Sequence, residues 1–161
     1  MADNLAMLSL TLCVSKATTA AGTTTTYSTT GTTTYLINGK IYTTGAKANV
    51  ATPTTDITKG LAFAPLSANQ GSLFVFSFNA AGTLGVSQGS VESLDVSGNF
   101  INAPQVPVIL DTQCVFGYLI AKAGSTAVGT WTFGTNNLSG VTGLTYTFGD
   151  LGTLPARPFV S

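Results

Sequence analysis

Few residues in this chain could do covalent chemistry. Ser87 lies in Gly85-Val86-Ser87-Gln88-Gly89, the Gly-x-Ser-x-Gly spacing of a hydrolase nucleophile elbow. An elbow needs a strand-to-helix turn and a histidine to accept the hydroxyl proton, and the chain has no histidine. Asp95, Ser97 and Asn99 share the alternate spacing of a calcium loop. Such a loop adds further acids and a terminal glutamate, whereas only Glu92 stands nearby. A hydrogen-bonded turn accounts for the same residues. Cys13 and Cys114 allow a single disulfide, and no Cys-x-x-Cys pair supports a metal. In a reducing compartment both read as small buried thiols. Asp3, Asp56, Asp111 and Asp150 show no pairing along the sequence, and neither a phosphate loop nor a dinucleotide fingerprint is present. The expectation is a protein that is not an enzyme, with no cofactor and no metal.

The composition points the same way. At 161 residues the chain has the length of one domain. Charged residues make up 7% of it, against about 25% in an ordinary domain, and the net charge is zero. Lys16, Lys40, Lys47, Lys59, Lys122 and Arg157 are scattered singly. No face can neutralise a row of phosphates, so neither nucleic acid nor an anionic membrane is an expected partner. No run reaches the roughly 18 apolar residues of a spanning helix. The opening MADNLAMLSLTLCVSKA carries Asp3 and no Lys or Arg ahead of its apolar run, the wrong sign for a secretory signal. Synthesis and retention in a cytoplasm are expected. So neutral a surface has little repulsion to keep copies apart. Burial against neighbours explains such a composition better than life as a free monomer.

The elements that must carry these surfaces are strands. Leu8, Leu10, Leu12 and Val14 alternate, which predicts a half-buried strand over 8–14 in preference to a helix capped by Asn4. Residues 18–34 hold 11 threonines in 17 positions, which favour extended backbone. They read as an uncharged extended arm or surface hairpin. Asn38-Gly39 is a type I′ turn pair. It predicts a hairpin that pairs Ile37 with Lys40, Leu36 with Ile41 and Tyr35 with Tyr42. Phe74, Phe76 and Phe78 alternate in a central core strand, and further strands are expected over 113–123, 130–135 and 144–150. The predicted architecture is all-β: an antiparallel β-sandwich or jelly-roll-like domain over 33–161, with an N-terminal strand and Thr-rich arm over 1–32. Removing residues 1–31 is then expected to leave the β-domain folded.

The segments YLINGKIY, SLFVFSFNAAG and GYLIAKAGSTAVGTWTFG resemble small virion structural proteins of tailed bacteriophages, of the capsid decoration or cement type. The likeness is one of style and segment order over about 8–155, and it carries no motif from which a functional residue can be transferred. It implies a β-rich subunit, made in the host cytoplasm, that binds the outside of a capsid and reinforces it. It also implies a homo-oligomer, a trimer, whose second partner is the major capsid protein. Subunit or capsid contacts are expected at Leu5, Leu8, Leu10 and Leu12, and at Tyr27, Tyr35 and Tyr42. The alternative is a glycan- or receptor-binding fibre or tip module of a virion, which would display exposed aromatics beside polar groups.

Overall fold

The computed structural model describes residues 10–152. Among the described residues there is no helix, and three antiparallel sheets make up the fold. The four-stranded sheet carries most of the core. Its order is β10 (Leu144–Asp150), β9 (Cys114–Ala123), β7 (Gln70–Phe78) and β8 (Leu84–Ser93). Flanking it are a sheet of β1 (Leu12–Cys13), β4 (Thr33–Ile37) and β5 (Lys40–Thr44), and one of β2 (Thr19–Ala21), β3 (Thr26–Thr29) and β6 (Lys47–Ala51). This is an all-β arrangement of the sandwich kind.

β7 is central because its sequence suits burial on both faces. Phe74, Phe76 and Phe78 are fully buried on one side, and Val75 and Ser77 are buried on the other. Phe78 stacks on Phe116 of β9 with centroids 4.0 Å apart, and Phe74 stacks on Phe133 at 4.9 Å. Phe63 and Trp131 meet these rings edge-on. Ring pairs in such geometries contribute beyond the area they bury, by about 0.5–1.5 kcal/mol each.

The Asn38-Gly39 hairpin forms in the register the turn pair dictates. Asn38 and Gly39 both have positive φ, 50° and 77°. Tyr35 lies opposite Tyr42 and their rings stack at 5.9 Å. The two faces of the hairpin are unequal. Tyr35 packs on Phe78, whereas Leu36 and Ile41 face outward and Ile41 is 65% exposed.

Four expectations are revised. The N-terminal strand is only two residues long within the described chain, and its inward residue is Cys13, not the leucines. Alternation favours the leucine face, but Cys13, on the face it shares with Thr11, lies opposite the buried Tyr35 and takes the interior place. Trp131 and Phe133 are buried side by side, but in a turn-rich segment with one bridge, Leu66 to Trp131, rather than in a strand. The Thr-rich stretch takes the hairpin form, not the extended one. β2 and β3 pair with each other and β3 pairs with β6. Gly22 starts the turn because a side chain there would run into the Thr26 hydroxyl. Lastly, Tyr27 and Tyr35 are core residues. Tyr27 is 1% exposed, and the Tyr35 hydroxyl donates to the Asn79 carbonyl at 2.7 Å.

The hairpin is therefore built into the fold rather than appended to it. Asp150 of β10 accepts from both the backbone N–H and the hydroxyl of Thr19, at 2.9 and 3.0 Å. Removing residues 1–31 would strip Cys13, Ala17 and Tyr27 from the interior. Tyr27→Ala tests this directly. It should cost about 3 kcal/mol or more in urea unfolding, as a core aromatic does, where an arm residue would cost under about 0.5 kcal/mol.

Candidate functional site

The residues first suspected of chemistry are committed to structure. Ser87 lies inside β8, fully buried, with its hydroxyl 2.7 Å from that of Thr58. Gly85 to Gly89 is thus a strand segment and not an elbow. Asp95 closes an exposed turn by accepting from the backbone N–H groups of Ser97 and Asn99, both at 2.8 Å. Those bonds, with Lys122 nearby, hold its carboxyl below the usual range. Among the described residues no three His, Cys, Asp or Glu side chains cluster as a metal would need. Asp56, 1% exposed, accepts from the N–H groups of Thr58, Lys59 and Gln88, at 2.8, 3.1 and 2.9 Å, with Lys59 Nζ at 3.5 Å. A buried carboxylate so occupied anchors a loop to β8.

That loop supports an exposed apolar segment. Between Phe100 and Asp111 the chain runs without regular structure or any charge, as INAPQVPVIL. Two prolines remove backbone donors and keep this strap from joining a sheet. It is held at intervals instead. Ile101 N–H donates to the Ser93 carbonyl, Gln105 N–H to the Ser90 hydroxyl, and the Thr58 hydroxyl to the Val108 carbonyl. Gly89 is glycine because the Gln105 carbonyl passes directly over it, where a Cβ would collide. With its backbone fixed, the strap turns apolar side chains outward. Val106 is 72% and Val108 75% exposed, and Ile101, at the start of the strap, is exposed as well.

The strap continues into a mixed groove of about 510 Å³, where Leu10, Ile109, Leu110 and Val115 stand among Thr11, Asn38, Asp111 and Gln113. Beyond it, Leu12, Leu36 and Ile41 lie directly opposite one another across β1, β4 and β5, a row on the outward face of that sheet. Of the residues expected at contacts, Leu10 and Leu12 border this surface, with Leu10 exposed and Leu12 half-buried. Tyr27 and Tyr35 are interior, and Tyr42 is half-buried under Lys40, whose Nζ sits 5.4 Å from its ring. Leu5 and Leu8 lie outside the described residues. The strap itself was not among the expected contacts. Its signal in the sequence is an apolar run broken by Pro104 and Pro107, too irregular for a strand and too apolar for an ordinary loop.

No family model, no curated protein and no solved structure matches the chain.

Both cysteines are buried thiols. Burial pushes Cys13 up, and pushes Cys114 from 9.0 up to about 12. Burial likewise holds Tyr27 and Tyr146 at about 12. The folded state therefore keeps protons that the unfolded chain has lost. For Cys114 the contribution is full below pH 9 and falls as pH rises from 9 towards 12, by up to about 1.4 kcal/mol per pH unit, and for Tyr27 the fall begins at pH 10. Urea unfolding between pH 8 and about 10 should show this decline, and Cys114→Ala should reduce its slope by about one proton.

Proposed function

We propose that this chain is a non-enzymatic structural protein that coats the outside of a bacteriophage capsid as a homo-oligomer and stabilises the shell. The observation that carries the reading is the strap. Exposed Ile101, Val106 and Val108 stand on a backbone pinned by side-chain hydrogen bonds and free of charge for ten residues. Several exposed apolar side chains on one uncharged segment mark an interaction site. Obligate interfaces are apolar and deplete charge at their centres; the strap itself carries no charge, with Lys59 standing beside Val106 and Val108. The capsid as partner, the virion location and the trimer all come from the resemblance to decoration proteins.

A glycan-binding module is the second reading, and one feature favours it. A cleft of about 700 Å³ at the end of the main sheet is lined by Asn69, Asp95, Ser97, Ser125, Thr126 and Thr145. It offers hydroxyls and a carboxylate but no aromatic platform, since Trp131 and most of the rings are in the core. Sugar faces are bound by such platforms, so the coat reading stands first.

The deciding experiment substitutes Val106→Asp and Val108→Asp together. Both side chains face solvent, so the urea midpoint and circular dichroism should stay unchanged. Occupancy on phage heads lacking this protein should drop at least about tenfold, since each charge brought into an apolar contact costs more than about 1.4 kcal/mol. Undiminished occupancy, or a specific hit on a glycan array that Asp95→Ala and Thr126→Ala abolish, would shift the assignment to the second reading.

A further inference from the structure

The edge strands of this protein are treated differently from one another. An unguarded edge offers a row of backbone donors and acceptors to any passing strand, and proteins ordinarily block it. β8 is blocked. Ile57 N–H donates to the Val86 carbonyl, Lys59 Nζ to the Gln88 carbonyl, and the strap lies against Gly89. β5 opens with Lys40, and β6 carries Lys47 and a left-handed Asn49. β1 and β2 are two and three residues long.

β10 has none of these devices. It is seven residues, LTYTFGD, with no lysine and no proline. Its pairing with β9 runs through seven successive residues without a bulge, whereas β8 and β9 each have one against β7. Among the described residues, the hydrogen bonds on its outer side lie at its two ends: Leu144 N–H donates to the Val141 carbonyl, and Thr19 donates twice to the Asp150 side chain.

The parity of the ladder fixes which backbone groups are outward. Gly124 N–H donates to the Gly143 carbonyl, and Leu151 N–H to the Phe116 carbonyl. In the register between them, Thr145, Thr147 and Gly149 are the residues that bond to β9. Tyr146 and Phe148 therefore direct their N–H and C=O groups away from the sheet, and so does Asp150.

We infer that the outer edge of β10 is a pairing site for β10 of a second copy, antiparallel, about a twofold axis at Thr147. The strand is complementary to itself in that register. Tyr146 lies opposite the partner's Phe148, and Phe148 opposite the partner's Tyr146. These are the residues whose backbone groups point outward, so each such pair exchanges two hydrogen bonds. Thr147 meets the partner's Thr147 in the close, non-hydrogen-bonded position between them. Tyr146 and Phe148 are only half-buried on the edge of their own core, and each gains an aromatic cross-strand neighbour. The two Asp150 carboxylates sit at opposite ends of the ladder, roughly 20 Å apart, so like charges do not meet. The four-stranded sheet becomes one continuous eight-stranded sheet. The contact is isologous and closes on itself. A twofold contact gives a dimer and not the trimer that the resemblance implies, so it rests neither on that resemblance nor on what the strap binds.

Sedimentation velocity on the full chain, from about 1 to 200 µM, tests the pairing. The wild-type chain should show a monomer–dimer equilibrium. Thr147→Lys and Thr147→Glu each place like charges face to face on the axis. Thr147 is exposed, so each variant should keep the wild-type circular dichroism and urea midpoint. Each alone should weaken the dimer by at least about 30-fold. An equimolar mixture of the two should restore a one-to-one dimer, because lysine then faces glutamate. A wild-type chain that stays monomeric throughout overturns the inference. So does a dimer or trimer that neither substitution weakens, or a mixture that fails to re-form the dimer.

Discussion

The aromatic face of β7 is the constraint on which the rest of the molecule depends. Phe74, Phe76 and Phe78 are buried and touch rings from five other parts of the chain: Phe63, Phe116, Trp131 with Phe133, Phe148, and Tyr35. The protein has twelve charged residues, and its one described ion pair joins Lys59 to Asp56 three positions away in the chain. Among the described residues, ion pairs therefore do not tie the sheets together. Apolar burial, at about 25 cal/mol per Å², and backbone ladders do. Once β7 is set, the Tyr35 hairpin closes one end of the core, and β10 covers Phe76 with Phe148.

The same dependence explains the polar clamps. An uncharged chain rich in Thr, Ser and Gly has many ways to pair strands, and fixed points limit them. Asp56 gathers three backbone donors and locks the loop 56–59 onto β8. Asp150 locks the Thr-rich hairpin onto the end of β10. Two of the six acidic residues thus specify position, each through hydrogen bonds to its own fixed donors. With so few charges used inside, the exterior is left apolar or hydroxyl-bearing over wide areas, and that is the property the proposed coat function draws on.

Local signals in the sequence translated into structure, and those that depend on distant partners did not. Asn38-Gly39 dictates its hairpin because a type I′ turn is decided by two residues. Phe74, Phe76 and Phe78 dictate a core strand because only one face of β7 is aromatic. For the stretch around Leu12 the pattern favours the leucine face, and the choice of Cys13 as the inward residue is made by Tyr35 across the ladder. Tyr27 could not be assigned to the core from a run of threonines, since its burial depends on β6, some twenty residues on. The strap was the least legible. Its exposure follows from the hydrogen bonds to Ser90 and Thr58, which lie far from it in sequence.

Hydroxyl-radical footprinting of the protein, free and in the assembly purified from its natural source, addresses the central claim most directly. If the strap is the contact surface, Ile101, Val106 and Val108 are labelled strongly in the free chain and lose most of that labelling in the assembly, while the buried Phe74, Phe76 and Phe78 are labelled weakly in both. Strap residues labelled equally in the two states, with protection elsewhere on the surface, would contradict it.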